Sequence, residues 1–429
     1  MDYQAACAYL EGLPWREVKP GLERVSYLLE RLGNPQAELR AIHVGGTNGK
    51  GSVVAMLASI LKEAGYRVGA YTSPHLLDWR ERIRIDGEWI PSEDFARLLE
   101  RLEPIIAEMA DKPTVFEVLT AMAFQYFHEQ GVDLAVIEVG LGGRFDATNV
   151  IHPLLAILTN VERDHLDLLG PSLERVAWEK AGLAKPGVPL VTGERKPKLL
   201  EVIARECTLV GAELILADKE VEALDFTWDS QAFAVEGWGR LELGLLGPYQ
   251  RENLAVVLKA VEVLRRSLRL ADGAVKQGLA AARWPGRFQV YRERPYIILD
   301  GAHNPSGARA LRTGLELYYE RYLAGGRRCL LFGVMRDKEI EAIAAALFSW
   351  FDELFFTKPD YYRACEPEAL LKLASRYAKP ARAIVPAGEA FLQAREGLSE
   401  RDLLCVTGSL YLVGELLRGQ DQARDSDGD

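Results

Sequence analysis

Apolar residues along this chain recur in two patterns that alternate many times. Short uninterrupted apolar runs predict strands at 41–45, 67–72, 133–139 and 154–159. Amphipathic stretches predict helices at 53–64, 92–108, 117–130 and 172–184, and the turn at Asp86-Gly87 predicts a hairpin. Strands that alternate with helices are typical of parallel sheets covered by helices, so the pattern predicts an α/β fold.

The alternation resumes after a break at 284–287, where a Pro-Gly pair interrupts it. Before the break we expect short strands and loops over 207–246 and a helix over 250–268. After it, strands are predicted at 294–300, 328–333, 352–356 and 402–407, and helices at 305–320, 339–348 and 409–418. We therefore predict a parallel-sheet domain over 1–287, a smaller Rossmann-like α/β domain over 288–418, and a disordered tail over 419–429.

Composition narrows the class of protein. The chain has 429 residues, 48% hydrophobic and 27% charged, as expected of a globular protein with two or three domains. A formal net charge of −10 argues against a nucleic-acid partner held by phosphate contacts. The apolar runs are too short for a membrane span and the chain shows no leader pattern, so we predict a cytoplasmic protein. We expect this protein to be a monomer. Five scattered cysteines predict buried thiols and neither a zinc site nor a disulfide framework.

The most specific local signal is a glycine-rich turn between the strand at 41–45 and the helix at 53–64. Its sequence, Gly46-Thr-Asn-Gly-Lys-Gly-Ser52, combines backbone N–H groups, one lysine and a helix N-terminus, which together suit a bound phosphate. Val44 stands where the common phosphate loop has its first glycine, and the Ser52 hydroxyl comes one residue late. A glycine turn without a ligand is the alternative, but the flanking strand and helix favour a phosphate loop.

Polar residues cluster at the carboxyl ends of the predicted strands, which is the edge where open parallel sheets bind ligands. Besides the glycine-rich turn, the clusters are 72–76, Glu138 with 140–149, and 159–165. Mg²⁺ on a triphosphate prefers oxygen ligands, so the candidate ligands are Ser52, Ser73, Glu138 and His165. A loop-capping role for Glu138 and a structural role for His165 are the alternatives.

Two further features are ambiguous from local sequence. In Asp300-Gly-Ala-His-Asn-Pro305, Asn304 can cap the following helix with Pro305 in its first turn, but capping does not explain Asp300 or His303. Those two side chains are expected to face the nucleotide from the second domain. Lys180 lies near a glycine that can cap the end of a helix, and from this local sequence alone we expect it to be a solvated helix lysine.

Together these motifs resemble bacterial folylpolyglutamate synthase and dihydrofolate synthase, members of the Mur ligase superfamily. The resemblance runs from the 46–52 loop to the 300–305 block, and its order and spacing are specific. Supporting segments are 72–76, Phe116-Glu117, 139–149, Asp164-His165, 179–182, Asn253 and 285–287. It implies an N-terminal P-loop domain of the Mur ligase central type and a C-terminal glutamate-ligase-type domain.

The resemblance also implies roles for individual residues. ATP would be bound by Thr47, Asn48, Gly49, Lys50, Gly51, Ser52, Asn253, Arg287 and Asp300. The pteroate part of the substrate would be held by Val115, Phe116, Glu117, Val118, Gly143, Arg144 and Phe145, although leucine is more common at the position of Phe145. Catalytic candidates are Lys50, His303 and Lys180, the last carrying a carbamate derived from CO₂. Incoming glutamate has only positional candidates, His303 and Thr357-Lys358.

The activity implied is an ATP-dependent ligation through an acyl phosphate. L-Glutamate would be added to dihydropteroate, or to folates as γ-linked residues, and the 142–149 segment favours an enzyme that does both. A monofunctional folylpolyglutamate synthase is the first alternative. A peptidoglycan-precursor Mur ligase is less favoured, because about 45 residues before the phosphate loop leave no room for a further N-terminal domain. A non-catalytic nucleotide switch would not need Glu138, His165 and Asp300 together. Domain closure about 285–288, which solution scattering would detect, is expected to exclude water.

Overall fold

The computed structural model describes residues 1–14, 20–292 and 294–426. The chain divides into two compact units. The first contains 1–225, 232–244 and 251–283, and the second contains 226–231, 245–250 and the chain from 284 onward. The units thus differ from the predicted contiguous ranges in two short segments that pack with the C-terminal part, and in a main boundary at 284 instead of 288.

An eight-stranded sheet, in the order β4-β3-β2-β5-β1-β6-β7-β8, forms the centre of the first unit. Neighbouring strands run parallel from β2 to β8, whereas β3 and β4 form an antiparallel hairpin beside β2. The strands are β1 (Ala41–Gly45), β2 (Val68–Tyr71), β3 (Ile83–Ile85), β4 (Glu88–Trp89), β5 (Leu134–Glu138), β6 (Leu155–Leu158), β7 (Leu190–Thr192) and β8 (Leu214–Leu216). A separate sheet contains β9 (Val221–Phe226), β10 (Gln231–Val235) and β11 (Gly239–Leu243).

In the described ranges, ten α-helices precede residue 284. They are α1 (Tyr3–Gly12), α2 (Glu23–Arg31), α3 (Lys50–Glu63), α4 (Ser92–Glu108), α5 (Val115–Glu129), α6 (Leu166–Leu169), α7 (Leu173–Ala181), α8 (Pro197–Val210), α9 (Gln250–Leu264) and α10 (Asp272–Ala281). Nearly every residue of α5 is buried, and its first turn is fixed by a capping box between Thr114 and Glu117. Every residue of β1 and β5 is buried, which explains why both read as continuous apolar runs.

The second unit contains a six-stranded sheet in the order β12-β13-β17-β14-β15-β16, parallel except for β12. Its strands are β12 (Gln289–Arg292), β13 (Tyr296–Leu299), β14 (Arg328–Phe332), β15 (Glu353–Phe356), β16 (Ala381–Ala383) and β17 (Leu403–Thr407). Its helices are α11 (Pro305–Tyr318), α12 (Ile340–Leu347), α13 (Pro367–Ala374), α14 (Ala387–Arg395) and α15 (Leu410–Ser426). Of the tail predicted to be disordered, residues 427–429 lie outside the described part of the chain, and the backbone of 419–426 continues α15.

The predicted α/β class is confirmed, with a large parallel-sheet N-terminal part and a smaller C-terminal sheet. Two local expectations are wrong. Residues 207–210 end helix α8, whose buried face is lined at four-residue spacing by Leu199, Ile203 and Cys207. Lys180 is not a solvated helix lysine, because only 4% of its surface is exposed. Within the described ranges, no helix is long and apolar enough to cross a membrane.

Candidate functional site

The glycine-rich turn connects β1 to α3 at the carboxyl edge of the first sheet. Gly46 and Gly49 have φ values of 138° and 83°, a region that residues with a β-carbon rarely adopt. A β-carbon at Gly46 would also collide with the Thr159 hydroxyl, and one at Gly49 with the Asn253 amide. Glycine is therefore required twice, and α3 begins at Lys50 with its N-terminus directed into the turn.

The segment after β6 holds the turn in place. The backbone N–H of Thr47 donates to Asn160 O at 3.0 Å, and that of Asn48 donates to Asn160 Oδ1 at 2.9 Å. The Thr159 hydroxyl donates to Asn48 O at 2.6 Å. These bonds order the turn within the protein itself, so a phosphate would meet a preformed loop.

Two lysines converge on one carbonyl of the turn. Lys50 Nζ donates to Gly46 O at 3.1 Å and to Thr47 O at 3.2 Å, and Lys180 Nζ donates to Gly46 O at 2.9 Å. Burial lowers the pKa of Lys180 to about 7, and the charge of Lys50 acts in the same direction. A substantial fraction of Lys180 is therefore the uncharged amine near neutral pH, which is the form that reacts with electrophiles.

The candidate magnesium ligands belong to the same unit. Glu138 pairs with Val44 in the sheet register and is 4% exposed, and its Oε2 accepts the backbone N–H of Ser73 at 3.1 Å. Ser52 is buried in the first turn of α3. His165 has a positive φ of 51° and lies with Nε2 3.7 Å from Asp164 Oδ1. In the described part of the chain no group of three or more His, Cys, Asp or Glu side chains is arranged to hold a metal.

This donor set still suits Mg²⁺. One carboxylate, two hydroxyls and an imidazole would occupy four positions of an octahedral shell and leave two to water and nucleotide oxygens, and oxygen donors are the ligands that this ion prefers. The structure places the backbone N–H of Ser73 beside the Glu138 carboxylate. That these residues bind Mg²⁺ stays a prediction.

The four predicted pteroate residues of α5 lie in different surroundings. Val115 and Val118 are buried in the apolar core beneath the sheet. Glu117 caps the helix and accepts a hydrogen bond from Arg24 Nε at 3.0 Å. Phe116 is partly buried, and its ring lies against Gly140, where a β-carbon would collide with it.

The other predicted pteroate residues are in the loop after β5. Gly143 packs on the end of α7, since a β-carbon there would lie 2.8 Å from Lys180 O. Arg144 makes an ion pair with Glu206, and its guanidinium lies 4.0 Å from the centre of the Trp178 ring. Phe145 is 45% exposed. Phe145 is thus available to a ligand, whereas Arg144 already has intramolecular partners.

The second unit holds the Asp300–Pro305 block at the end of β13. Asp300 is 4% exposed and accepts hydrogen bonds from Phe288 N at 2.7 Å, Ala302 N at 2.8 Å and the Tyr249 hydroxyl at 3.3 Å. Burial raises the pKa of Asp300. Asn304 caps α11 by accepting from Gly307 N at 2.8 Å, with Pro305 in the first turn, as predicted.

The remaining candidate residues belong to the same unit. Arg287 is half-buried, and a β-carbon at Gly301 would collide with its guanidinium. His303 Nδ1 lies 2.7 Å from Gly301 O. Thr357 is fully buried at the end of β15, and its hydroxyl has no hydrogen-bond partner among the described residues.

Sequence reasoning missed three residues that shape these sites. Tyr249 lies between β11 and α9, where the sequence pattern predicts no element, although its hydroxyl contacts Asp300 directly. Glu194 follows β7 and accepts from Val161 N at 2.7 Å, thereby holding the segment after β6. His43 lies inside an apolar strand and gave no local signal beyond its polarity.

Comparison with known proteins explains why these features occur together. The model of the Mur ligase middle domain matches residues 44–261, and that of the Mur ligase glutamate ligase domain matches 286–410. The Bacillus subtilis dihydrofolate synthase/folylpolyglutamate synthase is 35% identical, with 96% of this chain and 98% of that protein covered. The chain belongs to the folylpolyglutamate synthase family of Mur ligases.

Solved structures of this family superimpose on nearly the whole chain. Mycobacterium tuberculosis folylpolyglutamate synthase complexed with ADP is 33% identical, with a TM-score of 0.88 and coverage of 100% of this chain and 99% of that one. Escherichia coli FolC in complex with DHPP and ADP is 32% identical, with a TM-score of 0.86 and 99% of both chains covered. The resemblance drawn from the motifs is thereby confirmed.

Proposed function

We propose that this protein is an ATP-dependent carboxylate–amine ligase that adds L-glutamate to dihydropteroate and extends folates with γ-linked glutamates. The observation that carries the proposal is the preformed phosphate loop with Lys50, Lys180 and Glu138 at one sheet edge. Family membership supports the class of reaction, and the relatives' names give the products, dihydrofolate and folylpolyglutamate, from which the acceptors follow.

The reaction balances without an external oxidant or reductant. A carboxylate oxygen of the acceptor attacks the γ-phosphorus of ATP, and ADP leaves. The uncharged glutamate amine then attacks the acyl phosphate carbonyl, the bond from that carbon to the phosphate oxygen breaks, and the nitrogen passes one proton to the departing inorganic phosphate. Acceptor carboxylate and γ-phosphate are both anionic, so the Lys50 ammonium lowers the repulsion between them during attack.

We assign the phosphates of ATP to residues 47–52, where the start of α3 and the Lys50 side chain favour an anion. Asn253 lies against Gly49, a position consistent with nucleotide contact. In the second unit, Arg287 and Asp300 are assigned to the same nucleotide on the strength of the family resemblance. His303 and Thr357-Lys358 stay candidates for the incoming glutamate.

Mg²⁺ would be held by Ser52, Ser73, Glu138 and His165, and it would neutralise charge on the phosphates. Lys180 is assigned a carbamate, which would replace a buried cation by a carboxylate. The low pKa of its amine favours this modification, because CO₂ reacts with the uncharged form. We place the reaction in the cytoplasm and expect a monomer.

The acceptor would lie against α5 and the 143–145 loop. Phe116 and the exposed ring of Phe145 can contact a flat pterin. Val115 and Val118 are buried in the apolar core, so they can only support the residues that contact the substrate. Bifunctional activity is favoured by the relatives whose names give both synthase activities. Activity limited to chain extension is the second candidate, and it is favoured by a Lacticaseibacillus casei relative named only folylpolyglutamate synthase, 36% identical over 86% of this chain.

A coupled assay of ADP release tests the proposal. Purified protein is given ATP, Mg²⁺ and glutamate with dihydropteroate, with tetrahydrofolate, or with a peptidoglycan precursor, and the products are identified by mass. We expect glutamate-dependent turnover with the first two. Turnover with tetrahydrofolate alone would exclude the bifunctional assignment, and turnover with the peptidoglycan precursor alone would exclude the folate assignment.

The Lys50→Ala variant separates catalysis from folding. Removing the ammonium should lower kcat by about 10²- to 10³-fold, which is typical for loss of one electrostatic contact to a transition state. Thermal unfolding should change little, because the half-buried Nζ makes only two backbone hydrogen bonds. An unfolded variant would show that Lys50 is structural, and full activity would remove it from the site.

A further inference from the structure

An imidazole lies fully buried in the strand that leads into the phosphate loop. His43 is 0% exposed and stands two residues before Gly45, between Ile137 of β5 and Ala156 of β6 in the sheet register. A buried polar ring is costly unless it is hydrogen-bonded. Its partner is Thr148, whose Oγ1 lies 2.8 Å from His43 Nε2.

Thr148 connects the imidazole to a buried carboxylate. The Thr148 hydroxyl donates to Asp146 Oδ1, which also accepts Thr148 N at 3.0 Å, and Asp146 Oδ2 accepts Leu141 N at 2.8 Å. The loop 140–149 is therefore folded around Asp146. Because the single hydroxyl proton of Thr148 goes to Asp146, His43 must donate from Nε2–H.

The other nitrogen agrees with this tautomer. His43 Nδ1 is buried and has no hydrogen-bond partner in the part of the chain that the structure describes, as suits an atom that carries no proton. Burial lowers the pKa of His43 to about 3, so the ring is neutral at physiological pH. A neutral ring can still donate one hydrogen bond to Thr148.

The same loop is held on its other side by the end of α7. Arg144 N donates to Glu179 O at 2.9 Å, and Asn149 Nδ2 donates to Gly182 O at 3.1 Å. Lys180, which reaches Gly46 O, lies between these two acceptors in sequence. His43 provides a further polar connection, from the strand of the phosphate loop to the loop that carries Gly143 and Phe145.

We propose that His43 is a positioning residue, which holds the 140–149 loop in register with the phosphate loop by donating to Thr148 and so sets the affinity for the pteroate-bearing substrate. The claim about the substrate rests on the proposed function. The claim about loop order does not, since it concerns the protein without ligands. A leucine would fill most of the space of the ring and would lack only the donor.

Hydrogen exchange of the unliganded full-length protein tests loop order directly. The variants are His43→Leu, His43→Gln, and the control Ile42→Ala, which removes volume from the opposite face of the same strand. We expect His43→Leu to speed exchange over 140–149 by about tenfold, His43→Gln to restore much of the protection, and Ile42→Ala to act on the strand and not selectively on the loop. Equal exchange over 140–149 in wild type and His43→Leu would overturn the proposal.

Nitrogen-15 NMR of the histidines gives an independent readout. The His43 resonances should report a neutral ring with the proton on Nε2, and Thr148→Val should shift them. A proton on Nδ1 would contradict the assigned direction of the Thr148 hydrogen bond and with it the proposal. This experiment needs neither substrate nor activity.

Steady-state kinetics test the consequence for the substrate. His43→Leu should raise KM for dihydropteroate or folate about tenfold while KM for ATP stays unchanged, as expected when a substrate loop is misplaced and the phosphate loop is not. An equal rise of both KM values would mean general loss of structure and would overturn the specific role. A wild-type protein inactive with all folate acceptors would refute the proposed function, while hydrogen exchange would still decide the role of His43.

Discussion

Lys180 shows how far a single residue can depart from what its neighbours in sequence suggest. The segment Glu179-Lys-Ala-Gly182 is that of a solvated helix end, yet the amine is buried and donates to Gly46 O. Nothing within four residues indicates this, because the desolvation comes from the sheet edge against which α7 packs. Only the resemblance to a family pointed to a special lysine.

The burial of Lys180 makes a prediction about stability and pH. Its folded pKa of about 7 lies below the unfolded value of 10.5, so between these values the unfolded state binds one more proton. The free energy of unfolding should therefore rise with pH above 7, by up to about 1.4 kcal/mol per unit. Below pH 7 the amine is charged in both states and its contribution is constant and unfavourable.

Urea titrations at pH 6 to 9 in CO₂-free buffer measure this slope. Lys180→Met should abolish the contribution of the amine to the pH dependence of the unfolding free energy. The control Lys62→Met, at an exposed position, should leave this pH dependence unchanged. Parallel curves for wild type and Lys180→Met would show that the amine keeps an ordinary pKa.

Tyr249 carries a second prediction at the scale of a residue. Its hydroxyl donates to Asp300, whose pKa burial raises, so removing the donor should further disfavour the carboxylate and loosen its orientation. We expect Tyr249→Phe to raise KM for ATP several-fold and to cost about 1 kcal/mol of stability. Tyr319→Phe, which removes a hydroxyl bonded to Gly326 O in the same unit, should cost stability and leave KM unchanged. Identical KM shifts in both variants would contradict a specific role for Tyr249.

At the scale of elements, helix α3 is flanked by two glycines with positive φ, Gly49 directly before its first residue and Gly65 two residues after its last, and the two are not equivalent. Gly49 has φ 83° and would collide with Asn253, whereas Gly65 has φ 89° with no atom within 4 Å of an added β-carbon. Both alanine variants should lose about 1–2 kcal/mol from backbone strain. Only Gly49→Ala should also raise KM for ATP, by about tenfold or more, since it deforms the phosphate loop. Calorimetry and ADP-release kinetics separate the two effects, and equal kinetics would argue against a phosphate loop at 46–52.

How much of the structure local sequence predicts depends on where an element's stability comes from. Strands β1 and β5 are buried on both faces, so their apolar runs and the turn at Gly46–Gly49 predict them well. Helix α10 was missed because its stability is tertiary. Gly278 lets it approach α3, since a β-carbon there would collide with the backbone of Ile60, yet glycine lowers helix propensity. The same limit applies to Tyr249, Glu194 and His43, whose roles depend on partners distant in sequence.

At the scale of the whole molecule, the second unit is built from three separate stretches of the chain. The turn 226–231 between β9 and β10 belongs to that unit, with Trp228 stacked on Tyr296 at 4.3 Å and near Tyr318 at 4.8 Å. Gln231 Nε2 donates to Leu245 O and Gly247 O, which ties the turn to the segment that carries Tyr249. No local pattern in 207–246 predicts this, because the partners of Trp228 lie some 70 to 90 residues later.

This arrangement predicts that a residue of the β9–β10 turn controls the stability of the C-terminal unit. Trp228→Ala should remove aromatic contacts with Tyr296, Tyr318 and Tyr322 and cost about 2 kcal/mol or more, less than for a fully buried tryptophan because Trp228 is half-buried. The second unit should then unfold before the first, so that urea unfolding splits into two transitions when followed by hydrogen exchange over each unit. Trp89→Ala, an exposed position in the first unit, is the matched control and should leave the second unit unchanged. If hydrogen exchange over 296–322 in Trp228→Ala kept the wild-type rate, the β9–β10 turn would not contribute to the stability of the C-terminal unit, and the prediction would be wrong.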